Sequence, residues 1–547
     1  MNHLTPANGW KRSLYFASRS RRFLWIAAIA ALLAGVAIGC LGSVIRPSEP
    51  AKLGERILAR ASGVQDKNVA NQFEDEPTLA FRDLAPAFER EVSQKDVSFF
   101  DVLRAIPTLA PHVAPAEQEP IRAVLQKRFS PAEAGLAADF LAAWKPADDH
   151  ALDRLKARAD HPDAPRFANY VVGCVEMKRQ DYPAAYARFH KEGERDPAIE
   201  SRDLAVQALV AGDDFATLTA LKKDPRYQRS FPPAVSLKTA IGSRDWRGIL
   251  KWLPLTELDS FQTGIVIVAL IAGLAWAFVL VQLGEAPGLF STPSLLCLVA
   301  LACGALSTLP TGYLVILEED FLHFTGGADF YHVIAYNVGG VGVREELCKL
   351  LLFLPLLPFL LKRGDEFEAL IVASFVGLGF AIEENCGYFA MSEAASAPGR
   401  FLSANFFHVA LTGVNGLAVF RLCTRGVAGL NEFLFAFPLT ILAHGAYDAL
   451  FELPGVEGGD YFAMAVYVAF SAYYFGLVRQ LRNAVRTTIS LTGAFVGGIA
   501  VVAGSAIAYA IIVLGPIAGL TAVFPALLGN AILLFMFFRE FDEPLSA

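Results

Sequence analysis

Three charged side chains stand at the head of an apolar run: VREELCKLLLFLPLLPFLL, Val343 to Leu361, opens with Glu345, Glu346 and Lys349. Charge near mid-bilayer costs about 2.5 to 3.5 kcal/mol per residue on insertion scales, so these groups need partners, a wet cavity or a task. Three more polar sites follow: Glu384 in GFAIEEN, His408 in FFHVALTG, and His444 with Asp448 in HGAYDAL. Carboxylates and imidazoles held together can activate a water and shuttle protons. They can also hold a divalent ion such as Zn²⁺, which accepts histidine nitrogen and carboxylate oxygen. Other chemistries lack their signatures. There is no GxSxG, no HExxH, no P-loop and no dinucleotide fingerprint, and Cys348 and Cys386 have no activating arrangement in the sequence.

Local spacing sharpens the set. Glu345 and Lys349 are i,i+4 and share a helix face, as do His444 and Asp448, so Asp448 can accept from one imidazole nitrogen and fix the tautomer of the other. Phe380 precedes Glu384 by four, which selects Glu384 over its neighbour Glu383 as the inward acid. Each feature has a plainer reading. A lone histidine in a span more often bonds a neighbouring helix than a ligand, and Glu345 with Lys349 could be a structural pair. His323 and His332, in an acidic loop, read as surface residues.

The elements that must position these groups are membrane spans. The chain has 547 residues, 54% hydrophobic and 18% charged, too apolar for an ordinary soluble protein. About ten windows are long enough to cross: 23–45, 261–283, 294–317, 343–362, 367–390, 403–422, 431–451, 459–478, 491–514 and 517–538. Lys11, Arg12, Arg19, Arg21 and Arg22 precede the first, which places 1–22 in the cytoplasm, 23–45 as an anchor in the cytoplasmic (inner) membrane, and 46–255 outside. Basic residues then fall on alternate turns, while the opposite loops carry Glu318, Glu319, Asp320, Asp329 and Asp460; Arg344 and Arg400 are exceptions. AIGC at 37–40 faintly resembles a lipoprotein processing site, but the apolar run continues to Ile45, so we read an uncleaved anchor. With that topology Glu345, Glu346, Glu384, His408 and His444 all fall at one depth in the outer leaflet. Independent faces have no reason to converge so; one polar cavity does.

Between the first two spans, 46–255 reads as helical hairpins broken at Pro and Asp. The stretch GCVEMKRQDYPAAYARFHKEGERDP, 173–197, resembles one tetratricopeptide repeat through Gly173, Tyr182, Ala185, Phe189 and Pro197, with no second clean copy near a period of 34. Such a surface commonly binds a protein partner. The fold expected is therefore all-α: a polytopic helical bundle, 261–542, with a core at 343–452, and an extracytoplasmic helical-repeat domain. The net charge of −7 and the scattered basic residues argue against nucleic acid.

EELCK at 345–349, GFAIEEN at 379–385, His408 and HGAYD at 444–448 resemble, in order and one per span, the motifs of the PrsW family of intramembrane proteases, which is grouped with the CAAX prenyl endopeptidases. The resemblance covers about 110 residues, 343–452. It implies a glutamate-dependent peptidase in which Glu345, Glu346, Glu384, His408 and His444 are catalytic, with Lys349, Asn385 and Asp448 in support. A membrane-anchored protein or peptide is the implied substrate and the lipid bilayer its medium. On this reading Glu345 would act as base on a water, Glu384 would help to position it, and His408 and His444 would polarise the carbonyl or stabilise the oxyanion. Glu345, Glu384, His408 and His444 are equally the set that could bind zinc. Two other classes compete. A proton- or ion-coupled transporter also buries carboxylates, but in the cytoplasmic halves of spans four to seven ionisable residues stand only at the very ends. An inactive scaffold would use the outer domain alone.

Overall fold

The computed structural model describes residues 9–45, 52–62, 84–114, 117–144, 149–195, 199–261, 263–284, 291–391, 397–482 and 489–541. Among these residues the protein is helical throughout, with no strand. It divides into two compact units, residues 1–47 with 253–547, and residues 48–252.

Among the described residues of the first unit eight helices are long and apolar enough to cross a membrane: Arg21–Val44, Val266–Leu283, Thr292–Phe321, Phe401–Arg425, Val427–Glu452, Gly459–Leu481, Leu491–Leu514 and Pro516–Glu540. Two of the ten windows are not among them. The window at 343–362 is broken into a helix Val343–Phe353, a 3₁₀ turn Leu354–Leu356 and a helix Leu357–Arg363. Pro355 and Pro358 explain the break, since neither can donate to the preceding turn. The window at 367–390 is one unbroken helix, Glu366–Met391, with Glu366 and Glu368 near its start and Glu383 and Glu384 near its end.

Close backbone approach sets the depth of the site. A Cβ on Gly377 would strike the carbonyl of His408, and one on Gly445 would strike the backbone of Asn337 and Val338. Gly379 makes the same kind of contact with Leu301, whereas Gly387 faces open space. Small residues substitute here for the hydrophobic drive that lipid cannot supply between helices. The core around them is aromatic, with Phe406 against Trp276 and Phe495 stacked on Phe537 at 3.9 Å.

Two segments leading toward the site are π-helical, Leu317–Phe321 and Tyr336–Gly342. The wider turn is uncommon and is frequent at functional sites. Buried Arg344 donates to Glu318 at 2.7 Å, and Tyr336 donates to Glu319. That ion pair accounts for an arginine where the loop charge pattern had none.

The second unit is built from antiparallel helix pairs. Ala168–Lys178 packs on Tyr182–Gly193 with Phe189 filling the space a Cβ on Gly173 would need. The connecting turn recurs. Gln180, Asp213 and Arg244 each adopt positive φ, at 62°, 52° and 54°, and each precedes an aspartate and an aromatic residue: Asp181–Tyr182, Asp214–Phe215 and Asp245–Trp246. Asp181 and Asp214 accept from the backbone amides of Ala184 and Thr217, satisfying open donors of the next helix. Burial is slight at Asp214, so these hydrogen bonds hold its carboxyl below the usual aspartate range.

Candidate active site

Four helices deliver the polar groups. Val343–Phe353 supplies Glu345, Glu346 and Lys349; Glu366–Met391 supplies Glu384; Ala397–Arg425 supplies His408; Val427–Glu452 supplies His444 and Asp448. The spacing within each helix points these side chains to one side, and the glycine crossings bring those sides together.

Lys349 lies at the centre and is fully buried. Its ammonium donates to Glu346 Oε1 at 2.8 Å, stands 3.4 Å from Glu345 Oε2, and is 2.9 Å from His408 Nδ1. The ring of Phe380 covers it at 4.1 Å, a cation–π contact in a site without bulk water. Expectation had paired Lys349 with Glu345; the nearer acid is Glu346.

Glu346 is fully buried and bonded on both oxygens. Besides Lys349 it meets His444 Nδ1 at 2.9 Å, and its other oxygen accepts from Asn415 at 3.1 Å. Asn415 in turn accepts from Thr440 at 2.9 Å, so the amide can turn only one way. Glu345 differs. It keeps a few per cent of exposure, and its Oε2 makes no hydrogen bond.

The histidines are braced from outside. His408 Nε2 lies 2.8 Å from Glu384 Oε2, and His444 Nε2 lies 3.3 Å from Asp448 Oδ2 and 3.4 Å from Glu345 Oε2. The rings stand edge to face with centroids 5.0 Å apart. Glu383 turns instead toward Thr308, as the position of Phe380 implied. Asn385 donates to Asn405 at 3.3 Å and ties two helices rather than joining the cluster. His332 pairs with Asp329 at the surface, and exposed His323 lies in an irregular loop.

Asn415 and Thr440 escaped the sequence reading. Both had a signal: Asn415 follows His408 by seven residues and Thr440 precedes His444 by four, which are same-face positions.

The donor set fits a metal ion. Glu345, His408 and His444 can each place one ligand atom within 4.8 Å of the others. Two imidazoles and a carboxylate are a recognised catalytic zinc set. Glu345 Oε2 and His444 Nε2 are buried and unbonded, and Glu384 and Glu346 hold the other nitrogens of the two rings, whereas His408 Nδ1 accepts from Lys349 and would have to exchange the ammonium for the ion. Lys349 is a cation already present within the same cluster.

No curated protein and no solved structure matches this chain. Residues 292–478 do match a family model, described as PrsW family intramembrane metalloprotease, and they contain all of the clustered side chains. Over this stretch the chain is similar to the PrsW family.

Proposed function

We propose that this protein is an intramembrane endopeptidase that hydrolyses a membrane-anchored protein or peptide with a water activated by Glu345. One observation carries the reading: carboxylates, imidazoles and an ammonium from four separate helices meet in a buried cluster. Burying so many charges is costly, and each is held by named partners.

The two adjacent acids divide the work. Glu346, bonded on both oxygens, positions Lys349 and His444. Glu345, with an unbonded oxygen facing His444, takes the proton from the attacking water. Lys349 donates to His408 Nδ1, so His408 gives its one N–H to Glu384 and orients the ammonium, while His444, held at Nδ1 by Glu346, offers Nε2–H to the oxyanion and to the leaving amine. A zinc ion held by Glu345, His408 and His444 would supply Lewis acidity and a more acidic water. We favour a glutamic mechanism, since Lys349 already brings positive charge to the spot where the oxyanion forms. Activity that survives exhaustive chelation supports that choice; loss restored by Zn²⁺ overturns it.

The site faces the outer side of the cytoplasmic membrane, the N-terminus is cytoplasmic, and ten crossings are made in all, with the broken 343–362 segment and the Glu366–Met391 helix included. Outside lies a tetratricopeptide-like unit, supported by the recurring Asp–aromatic turn, which binds a protein partner or the substrate's outer segment. Nucleic acid has no part in this. Purified protein incubated with membranes from cells lacking it should release new peptide termini, and its Glu345→Gln form should not. Identical termini from both forms would overturn the proposal.

A further inference from the structure

The second unit holds a cavity of about 920 Å³ framed by the helices Phe99–Leu109, Pro131–Ala143 and Ile199–Ala211 and by the turn at Arg166 and Phe167. That volume is near the top of the range of about 300 to 1,000 Å³ usual for ligand sites. Its apolar wall is aromatic: Phe100 stacks on Phe167 with centroids 4.6 Å apart.

Phe167 is held there at φ 67°, a left-handed conformation that bulky residues rarely adopt. Such backbone persists where the surroundings over-determine it, and it gathers at ligand clamps. The clamp here is Glu192, fully buried, whose two oxygens accept from the amides of Phe167 at 2.9 Å and Asn169 at 3.1 Å. A buried carboxylate thus fixes the backbone that sets one aromatic ring into the cavity wall.

The polar lining has both signs and both hydrogen-bonding senses. Arg104 and Glu200 bridge two of the helices at 3.2 Å and neutralise each other. Glu133 is engaged in capping Ser130. Arg166 lies over the Phe167 ring at 4.7 Å. Asp203 and Gln207, one turn apart on Ile199–Ala211, line the cavity, and Asp203 enters no ion pair among the described residues. A phosphate would call for cations alone and a metal ion for anions alone. An extended peptide needs donors and acceptors side by side, with an apolar slot for a side chain.

We propose that this cavity is a peptide-binding site that seats an aromatic side chain against Phe100 and Phe167 and an adjacent lysine or arginine against Asp203. The excess of carboxylates over guanidiniums sets that charge preference. The site rests on its own geometry, not on the peptidase reading.

The test uses the full chain in detergent, carrying Glu345→Gln so that no cleavage intervenes. Fluorescence polarisation is read for three fluorescein-labelled decapeptides with Trp-Lys, Trp-Glu or Ser-Lys at the centre of a Gly-Ser sequence. Trp-Lys should bind tightest, about two- to fivefold better than Trp-Glu, the scale of a partly exposed ion pair, and about tenfold better than Ser-Lys. Asp203→Lys should invert the Trp-Lys over Trp-Glu preference, and Phe100→Ala should weaken both tryptophan peptides alike. An inversion cannot come from misfolding. Equal binding of the three peptides, or a preference unchanged in Asp203→Lys, overturns the proposal. Because cleavage is never read, either result leaves the peptidase proposal to its own test.

Discussion

The helices that build the site also carry a second ionic cluster at their opposite ends, and the two are built on different rules. At one end Arg421 and Arg425 meet Glu366 and Glu432, with Arg421 2.9 Å from each acid and Arg425 paired to both. Two cations face two anions, all partly exposed. About 27 Å along the Glu366–Met391 helix, at 1.5 Å per residue, Glu384 joins Glu345, Glu346 and Asp448 around one ammonium and two imidazoles, with side chains almost wholly buried. The first cluster is balanced and could serve structure alone. The second is unbalanced and buried, which structure alone gives little reason to keep, since a buried ion pair is often no better than a well-packed apolar one. Chemistry gives a reason to keep it.

That contrast can be broken by substitution. The largest effect belongs to Glu345→Gln, which keeps size and hydrogen-bonding capacity: cleavage of the natural substrate should fall by about two to four orders of magnitude, the share of a general base, with no change in thermal unfolding of the purified protein. Lys349→Met should act on stability instead. It strands Glu346 without its nearest cation, and breaking such a buried pair costs about 3 to 5 kcal/mol, to be read as a lowered unfolding midpoint and poor recovery from membranes. Asn415→Ala removes one hydrogen bond to the Glu346 carboxylate. A bond to a charged group contributes about 1.5 to 3 kcal/mol, so the midpoint should fall less than in Lys349→Met while activity drops through misplaced Glu346. Glu366→Gln, in the balanced cluster, should cost about 0.2 to 1 kcal/mol, the range of exposed pairs, and should leave cleavage intact. A Glu366→Gln protein as inactive as Glu345→Gln would erase the distinction between the two clusters.

How much of this was legible follows the same division. The positions of Glu345, Glu384, His408 and His444 could be read because charge within apolar runs is conspicuous and helical spacing fixes which face it occupies. The choice of Glu384 over Glu383 came from Phe380, whose ring does cover Lys349. The ranking of Glu346 above Glu345 as partner of Lys349 was not legible, because i,i+3 and i,i+4 are both allowed and only the opposing His444 and Asn415 decide. Asn415 and Thr440 were missed because a single neutral polar residue in a span attracts no notice until its partner is seen. The break at Pro355 and Pro358 was hidden by strong hydropathy on both sides. In the second unit the recurring turn was not recognised, since just two residues mark it each time, Asp181–Tyr182, Asp214–Phe215 and Asp245–Trp246, 33 and then 31 residues apart. The left-handed residue before each aspartate is a backbone property that Gln180, Asp213 and Arg244 do not announce.

The central claim is tested most directly by mapping peptide termini in membranes of cells that make the intact protein, Glu345→Gln or Glu366→Gln. The account predicts a set of termini near membrane-proximal segments that is present with the intact and Glu366→Gln forms and missing with Glu345→Gln. Maps that coincide for all three proteins, each inserted at normal levels, would contradict it.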